Sequence, residues 1–273
     1  MCEVIPAVAT VVGPGKSENQ DSVAVFRVGE AAAGAGVVIC DGVGSLPQSG
    51  AVASEMALLA ASHIEEAGVR TGIWGLEEMA AAHELSSDGA TTLIAVGAEP
   101  EGLVSHCFIG NGSLFEIAPQ TAVAGVMNLR WCGLALPQLN WDRGQPALES
   151  FLPAPAYGFE AEKGCRLTSR LKPRLYLACS DGVATDEDCP QAKTPDGRYW
   201  KGIPTRLIGV LGALAARWQD LLQSDAEQSA ALLQKILDAT LEALLADGAF
   251  EDDASVGCVM TRPLANPARD TQR

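Results

Sequence analysis

Apolar residues in the first half of the chain fall in short blocks, over residues 4–12, 23–28, 36–40, 91–97 and 103–109. They are rich in Val, Ile and Phe and bounded by Gly, Asp and Pro, so they predict β-strands. In residues 108–117, FIGNGSLFEI, the pair Asn111-Gly112 offers two positive-φ positions and predicts a tight β-hairpin. Residues 48–67 carry Val52, Met56, Leu59 and Ile64 at helical spacing and predict a helix, with a second over 73–85. Residues 175–179 form another apolar block and predict a buried strand. Two long helical patterns follow. Residues 204–222 start with Pro204 in the first turn, and 225–247 place Leu233, Ile236, Leu237, Leu241, Leu244 and Leu245 on one stripe. A strand over 254–260 closes the pattern, and the polar residues 263–273 are expected to be a disordered tail. Residues 119–173, which start and end on prolines, also hold Pro137, Pro146, Pro153 and Pro155 and show no sustained period; short strands joined by long loops are expected there. Helices come in pairs between groups of strands, which predicts one α+β domain over 1–262 and not a doubly wound parallel sheet.

Composition narrows the class. With 273 residues, 48% hydrophobic, and 28 glycines without a period, the chain can build a real core and is neither disordered nor collagen-like. Its 34 acidic against 19 basic residues give a net charge of −15, which argues against nucleic acid or an anionic membrane as partner. The longest apolar stretches, 31–40 and 207–216, fall short of the roughly 20 residues that span a bilayer. The N-terminus opens with an acid, so no signal peptide is expected. Eight cysteines include no C-x-x-C pair, and Cys40, Cys107, Cys179 and Cys258 lie in apolar runs. A reduced cytoplasmic protein is expected, without zinc or disulfides.

Familiar catalytic signals are missing. GPGKS at 13–17 is no P-loop, because the first glycine of that motif would fall on Thr10 and a strand follows. No G-x-S-x-G elbow occurs, and His63, His83 and His106 lack metal-ligand spacing. What stands out is aspartate at strand ends: Asp21 before SVAVF, Asp41 after VVIC, Asp181 after LYLACS, and Asp252 and Asp253 before ASVGCVM. Taken singly, Asp41-Gly42 and Asp181-Gly182 are ordinary turn chemistry. Strand ends that meet on one rim would instead make a self-repelling carboxylate cluster. No Lys or Arg cluster near these segments offers neutralisation, so a hard divalent cation, Mg²⁺ or Mn²⁺, is the expected relief.

These residues also carry a resemblance. The ordered set ENQDS (18–22), VVICDGVGS (37–45), GATTL (89–93), FIGNGS (108–113), LACSDGV (177–183) and DDASV (252–256) resembles the metal-dependent type 2C (PPM) serine/threonine protein phosphatases, in their short bacterial form. It runs from about Val8 to Thr261. The resemblance implies two packed, mainly antiparallel sheets flanked by helix pairs. It implies that Asp41 bridges two cations, Mn²⁺ or Mg²⁺, with the Gly42 carbonyl on one and Asp181 and Asp252 completing the other. Asp21 would hold water on the metal without touching the ion. Lys16 lies where many members carry a phosphate-binding Arg, and Val43 where some carry His. Asn111 stands in place of an Asp linked to a third metal, so it is either a weakened ligand or a turn residue. Residues 183–202 correspond to a flap near the site.

The leading expectation is therefore hydrolysis of phosphoserine and phosphothreonine in a phosphorylated protein, opposite a cognate Ser/Thr kinase. A pseudophosphatase that binds a phosphoprotein or kinase, and a hydrolase of small phosphoesters, are the alternatives.

Overall fold

The computed structural model describes residues 1–29, 34–121, 127–135, 138–142, 145–148, 150–153, 161–168, 172–183, 191–193, 199–201 and 205–264. One five-stranded sheet holds β1 (Cys2–Val11), β6 (Ser113–Thr121), β7 (Met127–Ala135), β11 (Arg174–Cys179) and β14 (Ala254–Pro263), in the order β1-β14-β11-β6-β7. The other holds β2 (Asp21–Val28), β3 (Gly34–Asp41), β4 (Leu93–Ala98), β5 (Leu103–Ile109) and β10 (Glu162–Leu167), in the order β10-β5-β4-β3-β2. Neighbours in both sheets are antiparallel. Two small hairpins complete the strands, β8 (Leu139–Asp142) with β9 (Gln145–Leu148), and β12 (Gln191–Lys193) with β13 (Tyr199–Lys201).

The sheets pack face to face and helices cover both outer faces, so each central strand is buried on two sides. That is why VVIC reads as a continuous apolar run. Val37 and Ile39 point between the sheets, onto Ile94, Phe108, Tyr176 and Val259. Val38 and Cys40 point outward, under α1 (Ser49–Ala67), α2 (Val69–Trp74) and α3 (Leu76–Ala82). On the opposite face, Leu177, Val256, Cys258 and Met260 pack under α4 (Thr205–Ala216), α5 (Trp218–Gln223) and α6 (Ala226–Ala246). Asp225 caps α6, its carboxylate accepting from the Gln228 N–H at 2.8 Å. The result is the expected α+β architecture in four layers.

Four expectations need correction. Residues 108–117 do not form a hairpin, because β5 and β6 lie in different sheets and the chain crosses the sandwich between them. Gly110 carries the positive φ, 120°, while Gly112 is needed for closeness: a β-carbon there would lie 2.5 Å from the Cys179 carbonyl oxygen. The helix expected over 73–85 is instead α2 and α3, parted at Gly75; that over 204–222 is α4 and α5, parted at Arg217. Finally, β14 runs on through Pro263. Of the flap expected at 183–202, only Val183, β12 and β13 are among the described residues, and the remainder of the tail, 265–273, lies outside them.

Candidate functional site

Antiparallel pairing assembles the rim. Asp21 opens β2 and Asp41 closes β3, and the two are direct cross-strand partners. Across the sandwich β11 and β14 run antiparallel, so Asp181, just past the end of β11, comes beside the residues that lead into β14. The Ser180 N–H donates to the Ser255 carbonyl at 3.0 Å and holds those two ends together. The Asp41 carboxyl lies within hydrogen-bonding reach of both Asp21 and Asp181. Carboxylates from both sheets thus meet at one edge, as the strand-end pattern anticipates.

Both Asp-Gly pairs are glycines of close approach. A β-carbon at Gly42 would stand 2.8 Å from the Gln20 carbonyl oxygen and 2.9 Å from the Ser49 carbonyl carbon. At Gly182 it would stand 1.8 Å from the Asp253 carbonyl oxygen, which no side chain tolerates. The Asp41-Gly42 peptide is fixed from several sides. The Gly42 N–H donates to the Gln20 carbonyl at 3.1 Å, and the Asp41 carbonyl accepts from the Thr92 N–H at 2.8 Å and the Thr91 hydroxyl at 3.0 Å.

Burial and mutual repulsion dominate the electrostatics. Burial pushes the Asp21 carboxyl up to about 6, while the neighbouring polar side chains of Ser255, Asp41 and Ser180 partly hold it down. Asp41 is raised well above the ordinary carboxylate range, by burial and by the charges of Asp21 and Asp181. Asp181 is raised by burial and the nearby Asp252 charge. Two buried oxygens on this rim, Asp21 Oδ2 and Asn111 Oδ1, have no hydrogen-bond partner. The Asn111 amide, by contrast, donates from Nδ2 to Asp181 Oδ2 at 2.5 Å.

The other half of the rim carries Lys16, which the resemblance places at a phosphate-binding position and the structure pairs with carboxylates. Lys16 Nζ forms an ion pair with Asp252 Oδ1 and a second with Asp253 Oδ2 at 3.0 Å. Neutralisation is therefore at hand, contrary to expectation, because the fold joins segments 236 residues apart. Asp253 is fully engaged. It also accepts from the Gly13 N–H at 2.7 Å and the Gln20 N–H at 2.8 Å, so it ties the loop after β1 to the start of β14. Ser180 and Ser255 were invisible as site residues. The Ser255 N–H donates to Ser180 Oγ at 2.9 Å, the Ser255 hydroxyl donates to Thr10 Oγ1 at 2.7 Å, and both serines lie beside Asp21 and help hold its carboxyl down. The histidines stay apart from the rim: His83 pairs with Glu55 at 2.9 Å, and His106 lies in β5 with its basicity lowered by burial.

Among the described residues no three His, Cys, Asp or Glu side chains already surround one point as metal ligands do. The donor set nevertheless suits a hard divalent cation. It offers buried carboxylates that repel one another, an unpartnered Asp21 oxygen, and hydroxyls, with no imidazole or thiolate on the rim among the described residues.

No protein-family model and no curated protein matches this chain. Solved structures do, and many of them are bacterial PPM serine/threonine phosphatases matched over nearly the whole chain. The serine/threonine phosphatase of S. agalactiae is 13% identical with a TM-score of 0.57, covering 94% of this chain and 99% of that one. The PPM Ser-Thr phosphatase MsPP of Mycobacterium smegmatis, solved in complex with cacodylate, is 15% identical with a TM-score of 0.56, covering 94% and 97%. The PstP/Ppp phosphatase of Mycobacterium tuberculosis is 16% identical with a TM-score of 0.52, covering 95% and 98%. At such identities the likeness establishes a shared fold.

Proposed function

We propose that this chain is a metal-dependent phosphoprotein phosphatase of the type 2C family, which hydrolyses phosphoserine and phosphothreonine. The observation that carries this reading is the convergence of Asp21, Asp41 and Asp181 from two sheets onto one rim, each carboxyl pushed up by burial and its neighbours. The fold shared with bacterial serine/threonine phosphatases supports it. Asp41, the Gly42 carbonyl, Asp181 and Asp252 would hold two divalent cations, Mn²⁺ or Mg²⁺. When bound, such ions make hydroxide available near neutral pH and offset charge on the phosphoryl oxygens.

The chain's own residues supply the rest. Asp41 faces carboxyls on both sides and is the natural shared ligand. Asp21, raised to about 6 and carrying a free Oδ2, is poised to accept a hydrogen bond or a proton from water on the rim. Side-chain nucleophiles are disfavoured. The Ser180 Oγ is buried and accepts from the Ser255 N–H, and burial pushes the thiols of Cys40 and Cys258 far up. In-line attack by water therefore needs no phospho-enzyme. The partner is a phosphorylated protein with its cognate kinase, and the site of action the cytoplasm; no helix among the described residues is long and apolar enough to cross a membrane.

The pseudophosphatase reading has its own support, since Lys16 and Asn111 already engage Asp252 and Asp181. A phosphothreonine peptide incubated with Mn²⁺ separates the two. Phosphate release that a chelator stops supports the enzyme; tight peptide binding without release supports the regulatory module. Faster turnover of a nucleotide than of the peptide would point to small phosphoesters.

A further inference from the structure

We infer that Lys16 is a tethered counter-cation that competes with one of the two divalent ions, so that the rim loads its ions unequally. The inference rests on the metal-dependent reading above and concerns how this chain's own residues meet the ions. The carboxylates assigned to one ion, Asp181 and Asp252, are each already engaged by a nitrogen donor, Asn111 Nδ2 on the first and Lys16 Nζ on the second. On the side of Asp41 the carboxyl faces the carboxyls of Asp21 and Asp181, no cation is paired with it among the described residues, and the neighbouring Asp21 Oδ2 has no partner. An ion served by Asp41 and Gly42 displaces no positive charge. An ion served by Asp181 and Asp252 must evict an ammonium.

Lys16 is held for this task. The turn over residues 13–16 closes with the Lys16 N–H on the Gly13 carbonyl at 3.3 Å, and Gly15 takes a φ of 78° that lets the chain reverse. The turn is pinned to the carboxylates it serves, because the Gly13 N–H donates to Asp253 Oδ1 at 2.7 Å. A charge on so short a tether acts at high effective concentration. At low metal the ammonium stays on Asp252 and Asp253. At high metal the second ion takes Asp252, and Lys16 keeps only Asp253, which leaves part of its charge and donors for an incoming phosphoryl group.

Titration calorimetry with Mn²⁺, run on the wild type, Lys16→Met, Lys16→Gln and Lys16→Arg, tests this without reading activity. The wild type should bind in two steps of unequal affinity. Lys16→Met and Lys16→Gln should tighten the weaker step about two- to fivefold, as expected for loss of a partly exposed ion pair, and leave the tighter step unchanged. Lys16→Arg should restore the unequal pattern. Thermal melts should show Mn²⁺ raising Tm more for Lys16→Gln than for the wild type. Neutral variants whose isotherms superimpose on the wild type would overturn the role of Lys16 and leave the phosphatase reading standing. No Mn²⁺ binding by any form would overturn both.

Discussion

Asp41 is the residue on which the account turns, because it contacts carboxyls from its own sheet and from the other. Asp41→Asn should abolish metal-dependent turnover, yet raise the Tm measured in chelator, since one charge leaves a repelling cluster. Residual activity within about tenfold of wild type would remove Asp41 from the role of shared ligand. Asp21 adds a pH signature. Its folded-state value of about 6 exceeds the ordinary 3.8, so the folded protein binds that proton more tightly than the unfolded chain does. The associated stability is present in acid and is lost as pH rises through roughly 4 to 6. In chelator, Asp21→Asn should therefore gain stability relative to wild type across that window, as melts at stepped pH would record; parallel curves would contradict it. Asn111 behaves differently from a turn residue. Its amide holds Asp181, so Asn111→Asp should cost about 1–3 kcal/mol without metal, replacing a donor by a like charge. Urea melts with and without Mn²⁺ should show the loss and its recovery. Equal stability in both conditions would return Asn111 to a merely local role.

Elements were legible where burial imposed a period, and illegible where a local signal met a tertiary demand. VVIC and LYLAC read as buried strands because each is covered on both faces. The long stripe of α6 was equally plain. Asn111-Gly112 misled, since a favourable hairpin dipeptide sits at a crossing between sheets, where Gly112 serves to clear Cys179. The breaks at Gly75 and Arg217 left the apolar stripe running on, so periodicity alone could not place them. Asp-Gly at strand ends pointed to the right residues through a mechanism only partly visible. Turn chemistry accounts for the dipeptide in general, whereas here backbone segments press against the glycines. Gly182→Ala should cost about 3 kcal/mol or more in denaturant melts, because its β-carbon would overlap the Asp253 carbonyl. A loss below roughly 1 kcal/mol would mean that the β11–β14 rim gives way easily and does not fix Asp181.

At the scale of the molecule, two sheets and two helical layers deliver strand ends to one edge, and the chemistry follows from what gathers there. The carboxylate half of that edge could be read from sequence, because each aspartate marks the end of an apolar block. The ion pairs of Lys16 could not, although the resemblance marked Lys16 itself, because it finds Asp252 only through pairing of segments 236 residues apart. Ser180 and Ser255 were hidden for the same reason, each resembling an ordinary strand residue until the fold brought both beside Asp21. The architecture also explains why the acidic surface does not prevent a phosphate-directed site: the reading assigns attraction to bound cations and to Lys16, not to net charge. The most direct test is phosphate release from a phosphothreonine peptide by the purified wild type and Asp41→Asn, with Mn²⁺ and then with excess chelator. The account predicts release by the wild type in Mn²⁺ alone, and none by the variant in either condition. Release that persists in chelator, or that Asp41→Asn retains, would contradict it.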